Sequence, residues 1–315
     1  MLISLIVPCF NEEESLPTLF SALKEISTEV KQADSTKDFE YIFVNDGSSD
    51  KTLEVVKNFA ADCSAVKYIS FSRNFGKEAA MYAGLEKAKG EYVAILDADM
   101  QDPPSLIPQM IKALDNNECD IIAARRVTRV GEPKIRSFFA RMFYKLINKM
   151  CEIEIADGAR DFRLMKRNVV DAILKVNERQ RFSKGIFSWV GFKTKWIEHE
   201  NVERVAGETK WSFWKLFKYA IDGIVTFTTA PMRLATYCGF SSALAAFIYM
   251  LYYFIRAIIL KIYNEVPGYP SLLCFILFIG GLILMALGVL GEYIGKIYIE
   301  VKHRPIYIEG ESNIE

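Results

Sequence analysis

The sequence predicts an α/β protein with a mainly parallel sheet, helices on both faces of that sheet, and a hairpin of two membrane-spanning helices near the C-terminus. In the first 100 residues, short apolar runs alternate with segments of helical spacing, as in folds built from strand-helix-strand units. After residue 233 two long uncharged runs follow, each of the length that a bilayer requires. The 315 residues, 51% of them apolar, suffice for about two domains with a full hydrophobic core.

The predicted strands and helices alternate from residue 2 to residue 96. Continuous apolar runs predict strands at 2–8, 39–44, 66–71 and 92–96. Helical spacing of apolar residues predicts helices at 14–30, 52–59 and 77–88. In a mainly parallel sheet of this kind, ligands bind beyond the carboxyl ends of the strands.

Polar residues follow each of the four predicted strands, at 8–12, 45–50, 72–77 and 97–102. Neither G-x-G-x-x-G nor G-x-x-x-x-G-K-[ST] occurs, so a dinucleotide site of the usual kind and a P-loop are not supported. A phosphate group, if one is bound, must be held in another way.

Two carboxylates, Asp97 and Asp99, follow the fourth predicted strand. If the backbone stays extended, residues two apart project in a similar direction, and their charges then repel unless a cation or a proton lies between them. Hard oxygen ligands suit Mg²⁺ or Mn²⁺. An acidic pair on a solvated turn is the alternative, but the buried strand before the pair and Asp46 at the end of a neighbouring strand favour a metal site.

Charge and cysteine content exclude several classes of function. The 39 basic and 39 acidic side chains cancel, which removes the usual basis for non-specific nucleic-acid binding. The six cysteines are scattered and only two histidines occur, so neither a zinc site nor a disulfide framework is expected and a reducing cytosolic setting is favoured. The first apolar run is too short for a signal peptide or a membrane span and is interpreted as a strand.

Two uncharged runs, 234–255 and 266–291, predict membrane-spanning helices. A pair of buried core helices is the alternative, but two such runs in succession are rare in soluble domains. The short connection makes the helices a hairpin. Six basic residues lie near its outer ends and two in the connection, so the positive-inside rule predicts that the N-terminal domain and the C-terminal tail are cytoplasmic.

The chain therefore divides into four predicted parts: an N-terminal domain (1–209), an interfacial helix (210–230), the hairpin (231–300, with spans of about 234–258 and 268–292) and a tail (301–315). The interfacial helix is predicted because aromatic residues alternate with lysines in KWSFWKLFKYAIDGIVTFTT, a pattern that suits the headgroup layer. The alternative is an ordinary helix packed on its own domain.

Several motifs in one order resemble the family 2 glycosyltransferases of GT-A fold. They are VPCFNEE (7–13), VNDGSSD (44–50), SRNFGKEAAMYAGL (72–85), DADMQDPP (97–104), DFRLM (161–165), GETKW (207–211) and GEYIGKIYIEVKHRPIY (291–307). Within that family the chain is most similar to polyprenyl-phosphate glycosyltransferases of the bactoprenol glucosyltransferase type, and more distantly to dolichyl-phosphate mannose synthase. The likeness spans almost the whole chain.

The resemblance implies roles for individual residues. The positions that match those contacting the nucleotide sugar are Pro8, Phe10, Glu12, Val44, Asp46, Asp97, Ala98, Arg204 and Lys210. The last two of these would neutralise the departing diphosphate, and Asp99 and Gln101 match the metal ligands. As alternatives, Glu12 could complement the charge of a helix N-terminus, and Asp46 could form an Asx turn before Gly47.

For the acceptor, Arg125 and Arg136 match the arginines that bind the lipid phosphate, and a guanidinium suits that group. The alternative is attraction to anionic headgroups, at roughly 1 kcal/mol per basic residue. Asp161 matches the proposed base. Because a phosphate monoester is largely ionised, we expect Asp161 to position the acceptor or to handle its residual proton. A salt bridge with Arg163 or Arg160 is the alternative.

The activity implied by the resemblance is the inverting transfer of one sugar, most simply glucose from UDP-glucose, to a polyprenyl phosphate such as undecaprenyl phosphate at the cytoplasmic face of the membrane, with Mg²⁺ or Mn²⁺ as cofactor. Asp161 and Asp99 would be the catalytic residues, and a homo-oligomer is expected. The alternatives are a processive polysaccharide synthase, against which the absence of Q-x-x-R-W at 180–184 argues, and a non-catalytic nucleotide-binding scaffold in the membrane.

Overall fold

The structure is a computed structural model that describes residues 1–126, 158–199, 225, 228–255 and 269–314. The strands are β1 Leu2–Cys9, β2 Asp38–Asn45, β3 Val66–Phe71, β4 Tyr92–Ile95, β5 Ile121–Arg126, β6 Ala159–Lys166, β7 Thr194–His199 and β8 Glu309–Ser312. The helices are α1 Leu16–Ala33, α2 Thr52–Asp62, α3 Lys77–Lys87, α4 Ile107–Asp115, α5 Arg167–Lys175, α6 Ser183–Trp189, α7 Ala230–Phe254 and α8 Tyr269–Val301.

These strands form one sheet in the order β7-β5-β6-β4-β1-β2-β3-β8. Strands β3, β2, β1 and β4 are parallel neighbours, so the predicted mainly parallel sheet and its four predicted strands are confirmed. The three predicted helices are present as α1, α2 and α3. Because parallel strands end at the same edge of the sheet, the loops that follow β1 to β4 lie together there.

Both faces of the sheet are covered, which explains why the strands read as continuous apolar runs. Along β1, Leu5 is buried in the core with α1 and α4, whereas the next residue, Ile6, is buried in the core with α3 and α5. In the first core Phe20 of α1 contacts Phe43 of β2 edge to face, with ring centres 5.8 Å apart. The sheet is thus a buried layer between two sets of helices.

Strand β6 brings a distant segment to the edge where the loops meet. It runs antiparallel to β4, with Ile95 opposite Arg163 and Ala94 opposite Leu164. Asp161 lies two residues before Arg163 on β6, and Asp97 lies two residues after Ile95, just beyond the end of β4. The β4–β6 pairing therefore brings the segments that carry the two carboxylates to the same edge of the sheet.

Residues of the predicted tail join this sheet. β8 pairs antiparallel with β3, with Glu309 opposite Phe71. The ring of Tyr307 stacks on Phe71 with centres 4.8 Å apart, and its hydroxyl donates to Glu86 at 2.6 Å. The predicted N-terminal domain and the C-terminal tail therefore share one sheet.

Helices α7 and α8 lie side by side and run antiparallel. Tyr249 near the end of α7 stacks on Phe275 near the start of α8, with ring centres 6.4 Å apart. At the other end Tyr293 donates its hydroxyl hydrogen to the carbonyl of Thr228 at 2.5 Å. Large apolar side chains of both helices are exposed.

One helix in the described part of the chain is long and apolar enough to cross a membrane, and it spans Phe275–Val301. That α7 is a second span stays a prediction. Most of the predicted interfacial helix, 210–230, lies outside the described residues.

The end of α8 is attached to the N-terminal domain. The carboxylate of Glu300 accepts the backbone N–H groups of Arg179 at 2.8 Å and Gln180 at 3.2 Å. In return Arg179 donates from its guanidinium to the carbonyl of Arg304 at 2.9 Å. The apolar helix is thus joined to the sheet both by Glu300 and by β8.

Candidate active site

Hydrogen bonds join the loops that follow β1 and β2. The N–H of Asn11 donates to the Ser48 hydroxyl at 3.0 Å, and the N–H of Ser49 donates to the side-chain oxygen of Asn11 at 2.9 Å. The N–H of Glu12 donates to the Thr52 hydroxyl at 2.8 Å. Asn11 has a φ of 55°, a conformation that asparagine adopts more readily than most residues. Two of the four predicted polar loops therefore form one unit.

Asp46 connects this unit to the loop after β3. Its carboxylate accepts the N–H of Phe75 at 2.7 Å and the N–H of Gly76 at 3.0 Å. Burial raises the pKa of the Asp46 carboxyl, and these two N–H groups offset only part of that effect. The Asx turn that was the alternative role for Asp46 is not what the structure has, because the Asp46 carboxylate accepts from Phe75 and Gly76. The side-chain oxygen of Asn45 instead accepts the N–H of Ser48, three residues on, at 3.2 Å.

Gly47 allows the loops after β2 and β3 to touch backbone to backbone. It has a φ of +64°, and a Cβ at this position would lie 2.4 Å from the carbonyl carbon of Arg73 and 2.6 Å from the nitrogen of Asn74. The Asn74 amide also donates to the carbonyl of Asp46 at 3.2 Å. A side chain at Gly47 would therefore force these loops apart.

Lys77, at the start of α3, lies between the two carboxylates that the β4–β6 register brings together. Its Nζ is 2.5 Å from Oδ1 of Asp97 and 2.5 Å from Oδ2 of Asp161. The Asp97 and Asp161 side chains are 18% and 16% exposed, whereas that of Lys77 is 41% exposed. The predicted alternative of a salt bridge from Asp161 to Arg163 or Arg160 is not what the structure has, because the partner is Lys77.

The surroundings shift the pKa values of these carboxyls in opposite directions. Burial raises the pKa of Asp97, and the nearby charge of Asp161 adds to that rise while Lys77 opposes it. Burial also penalises the charged form of Asp161, but the positive charges of Lys77, Lys184 and Arg163 together outweigh burial and hold the pKa of Asp161 well below its usual range. Lys77 is the largest of these favourable contributions to the ionised state of Asp161.

Arg163 fixes the backbone that carries Asp161. Its guanidinium donates to the carbonyls of Asp161 at 3.2 Å and of Arg160 at 2.7 Å, and it lies 3.6 Å from the ring centre of Phe187. Burial lowers the pKa of Arg163 to about 10, so it remains protonated near neutral pH.

The condition set for Asp97 and Asp99 to project in a similar direction, an extended backbone, is not met in the structure. β4 ends at Ile95 and the chain turns at Ala98 and Asp99, followed by Met100 with a φ of 59°. Asp97 pairs with Lys77, while Asp99 accepts the N–H of Gln101 at 3.1 Å. The two-residue repeat of a strand does not apply to this turn, and the two carboxylates have different partners.

Arg160 supplies positive charge on the Asp99 side of this turn. It donates to both carboxylate oxygens of Asp102, at 2.9 and 3.0 Å, and to the side-chain oxygen of Gln101 at 3.2 Å. His199 Nε2 lies 3.1 Å from Asp102. Burial penalises the charge of Asp102, but His199 and Arg160 outweigh burial and hold its pKa below the usual range.

The oxygen donors near this turn fit a divalent cation. The described residues hold no group of three His, Cys, Asp or Glu side chains that could bind a metal by themselves. Mg²⁺ is commonly held by one or two protein oxygens together with substrate phosphates, and Asp99 and Gln101 offer a carboxylate and an amide oxygen of that kind. Arg160, which is already bonded to Gln101, would lie beside such an ion.

The residues predicted to contact the nucleotide differ in accessibility. Phe10 is 37% exposed at the edge of the sheet, whereas the Val44 and Ala98 side chains are buried in the cores. Val44 and Ala98 can therefore meet a ligand only through their backbone. Glu12 accepts the Ser15 hydroxyl at 2.8 Å just before α1, which agrees with its alternative role at a helix start.

Pro8 is partly buried on β1, in register with Val44 of β2. Arg125 is on β5, which is antiparallel to β6 and therefore runs in the direction of β4. Arg125 thus lies at the same edge of the sheet as Asp97. The other predicted basic residues, Arg136, Arg204 and Lys210, lie outside the described residues.

Sequence reasoning assigned no role to Lys77, and Asp102, Arg160 and His199 were also absent from the predicted site. One signal could have found Lys77. A cation in the first turn of a helix is unfavourable next to the helix dipole, and Lys77 directly follows Gly76, which has a φ of +96°. A lysine at such a position needs a compensating partner, and its partners are Asp97 and Asp161.

Comparisons with known proteins agree with this architecture. A model of the glycosyl transferase family 2 matches residues 4–174, and a model of the GtrB C-terminal hairpin matches residues 230–297. A prophage bactoprenol glucosyl transferase homolog of Escherichia coli is 44% identical over 98% of this chain and 98% of its own length. An SfII prophage-derived bactoprenol glucosyl transferase of Shigella flexneri is 44% identical over 99% of both chains.

An uncharacterized glycosyltransferase of Synechocystis is 43% identical over 97% of this chain and 94% of its own length. Among solved structures, glucosyl-3-phosphoglycerate synthase of Mycobacterium tuberculosis in complex with Mn²⁺, UDP-glucose and phosphoglyceric acid is 18% identical. It matches 71% of this chain and 78% of its own, with a TM-score of 0.47.

Proposed function

The chain belongs to glycosyl transferase family 2, and from that premise we propose that it transfers a single glucose from UDP-glucose to a polyprenyl phosphate. The observation that carries the proposal is the 44% identity, over nearly the full length, to proteins named bactoprenol glucosyl transferases. Family membership and the mainly parallel α/β sheet agree with the predicted GT-A fold. The GtrB hairpin match and the apolar helix Phe275–Val301 support membrane association.

The donor would bind over the loops that follow β1, β2 and β4. The exposed ring of Phe10 offers an apolar surface for a base, and Asp46 and Asp97 lie at the ends of neighbouring strands. Two basic residues, Arg204 and Lys210, are predicted to neutralise the diphosphate. Both remain proposals that rest on the resemblance alone.

Asp99 and Gln101 would hold Mg²⁺ or Mn²⁺, as their hard oxygens suit such an ion. A divalent cation there would stabilise the negative charge that develops on the departing diphosphate. Arg160 donates to the Gln101 side-chain oxygen, so it would orient that amide and add positive charge to the same region.

The acceptor phosphate would bind near Arg125, with Arg136 as a second arginine. An oxygen of the lipid phosphate attacks the anomeric carbon, the bond from that carbon to the diphosphate oxygen breaks, and UDP leaves with inversion at the sugar. Asp161 positions the acceptor or takes the proton of a singly protonated phosphate, for which it must be ionised. Its ion pair with Lys77 supports that state.

We place the reaction at the cytoplasmic face of the membrane, as the distribution of basic residues predicts. The test uses the purified full chain in detergent with radiolabelled UDP-glucose, undecaprenyl phosphate and Mn²⁺. The expected product is one lipid-linked glucose, identified by mass spectrometry, and chelation of divalent ions should abolish its formation.

Three outcomes would contradict parts of the proposal. A polymeric product would favour a processive synthase, and transfer from a different nucleotide sugar alone would reject glucose. If no donor in a panel of nucleotide sugars supported transfer while UDP still bound, the chain would instead be a nucleotide-binding scaffold. Transfer unchanged by Asp99→Asn would remove the metal assignment.

A further inference from the structure

Lys77 joins parts of the site that come from three separate elements. It begins α3, and its ammonium lies 2.5 Å from a carboxylate oxygen of Asp97, after β4, and 2.5 Å from one of Asp161, on β6. Both carboxylates are largely buried, so without a cation between them their charges would repel in a poorly solvated space.

The backbone on both sides of Lys77 is held in place. Before it, the N–H groups of Phe75 and Gly76 donate to Asp46. After it, the carboxylate of Glu78 accepts the N–H of Ser183 at 3.0 Å and also the Ser183 hydroxyl. The backbone from which the Lys77 side chain extends is therefore held by the same loop that binds Asp46, and Asp97 and Asp161 fix its ammonium.

From this geometry, and on the premise of the proposed function, we infer that Lys77 is a positioning residue that couples the donor-binding loops to Asp161. It favours the ionised form of the Asp161 carboxylate and holds that carboxylate in one orientation through their ion pair.

The other charged groups around Asp161 do not replace this role. Glu78 and Asp97 face it with negative charge and disfavour its ionised form. Arg163 and Lys184 favour that form, but the guanidinium of Arg163 is bonded to backbone carbonyls. In the described part of the chain, the one side-chain ion pair of Asp161 is with Lys77.

The test compares Lys77→Met and Lys77→Arg in the full chain, in detergent with radiolabelled UDP-glucose, undecaprenyl phosphate and Mn²⁺. Lys89→Met, an exposed lysine just beyond the same helix, is the matched control and should behave like the wild type. We expect Lys77→Met to lower kcat by about 10- to 100-fold, the size of effect that misplaced catalytic groups produce, with little change in the KM for UDP-glucose. Lys77→Arg should recover part of the loss.

Two further measurements separate positioning from a structural role. In an Asp161→Asn background, Lys77→Met should lower kcat little further, because the effects of residues that act through one another are not additive. The acid limb of the kcat profile should move to higher pH in Lys77→Met, because burial alone raises the pKa of Asp161. If Lys77→Met does not fold, as judged by thermal unfolding, Lys77→Gln takes its place in both measurements.

Several results would overturn the inference. They are an unchanged kcat in Lys77→Met, a loss confined to the KM for UDP-glucose, and an equal loss in the Asp161→Asn background. In each case an active wild type would leave the proposed function intact. A wild type that transfers sugar from no nucleotide donor would reject the proposed function, and this inference with it.

Discussion

Two sides of the candidate site are held together by different kinds of contact. On the Asp46 side, formed by the loops after β1, β2 and β3, the carboxylate accepts backbone N–H groups, and Gly47 packs against the backbone of Arg73. On the Asp161 side, formed around the β4–β6 pair, charged side chains pair with one another through Lys77. Backbone contacts therefore hold the first side together, and ion pairs between side chains hold the second.

The two kinds of contact suit carboxylates with different roles. A carboxylate held by backbone amides keeps its position whatever its neighbours do, which suits recognition of a rigid group such as a nucleotide. A carboxylate held by a lysine has its charge state set by that neighbour, which suits a group that must stay ionised. The two sides should therefore respond to different substitutions.

The largest effect is expected on the Asp161 side. Asp161→Asn keeps the size of the side chain but removes its charge, and we expect kcat to fall by about 10²- to 10⁴-fold, the usual contribution of proton transfer. UDP binding, measured by calorimetry, should change little. Asp171→Asn, which alters an exposed carboxylate on α5, is the control and should retain full activity. A kcat within a few fold of the wild type would mean that Asp161 has no part in the reaction.

A smaller effect is expected on the Asp46 side, and there it should depend on backbone shape. Gly47→Ala would place a Cβ 2.4 Å from a backbone atom in a left-handed conformation, so we expect it to reduce the free energy of unfolding by about 2 kcal/mol or more. It should also weaken UDP binding by separating the loops. Thermal unfolding of the full chain in detergent measures the first effect.

Gly191→Ala is the matched control for this prediction. Gly191 also has a positive φ, of +73°, but a Cβ there would lie 4.0 Å from the carbonyl oxygen of Trp189, an ordinary contact. It should therefore show only the cost of the strained conformation, about 1 kcal/mol. Equal destabilisation by both substitutions would contradict a role for the contact between Gly47 and Arg73.

The two sides also differ in how far the sequence predicts them. The Asp46 side follows from four apolar runs and the polar loops after them, because parallel strands bring their ends to one edge. The β4–β6 pairing joins residues more than 60 positions apart, and no local pattern encodes its register. Asp161 entered the predicted site through a resemblance, and its partner Lys77 was missed because an ion pair across three elements leaves no periodic signal.

The C-terminal strand illustrates the same limit. β8 has the sequence EGES, which lacks both apolar periodicity and residues of high strand propensity. It is a strand because the exposed edge of β3 offers backbone groups to pair with, while Tyr307 and Glu86 fasten the chain beside it. Such a strand is defined by its partner, so its own residues did not predict it.

The smallest effect concerns stability as a function of pH, and it distinguishes the two sides by sign. Burial raises the pKa of Asp46 in the folded protein, so ionised Asp46 costs stability at neutral pH, and that cost is relieved as pH falls toward the ordinary value of about 3.9. Lys77 lowers the pKa of Asp161, so its contribution is complete well above the ordinary value of about 3.9 and is lost progressively from about pH 5 downward. Between pH 7 and pH 4, the stability difference between wild type and Asp46→Asn should therefore shift in favour of the wild type. The difference between wild type and Asp161→Asn should stay constant from pH 7 to about pH 5 and then shift against the wild type. Melting temperatures of the three proteins in one detergent provide the measurement, and a constant difference for Asp46→Asn would contradict the assignment of burial as the cause of its shift.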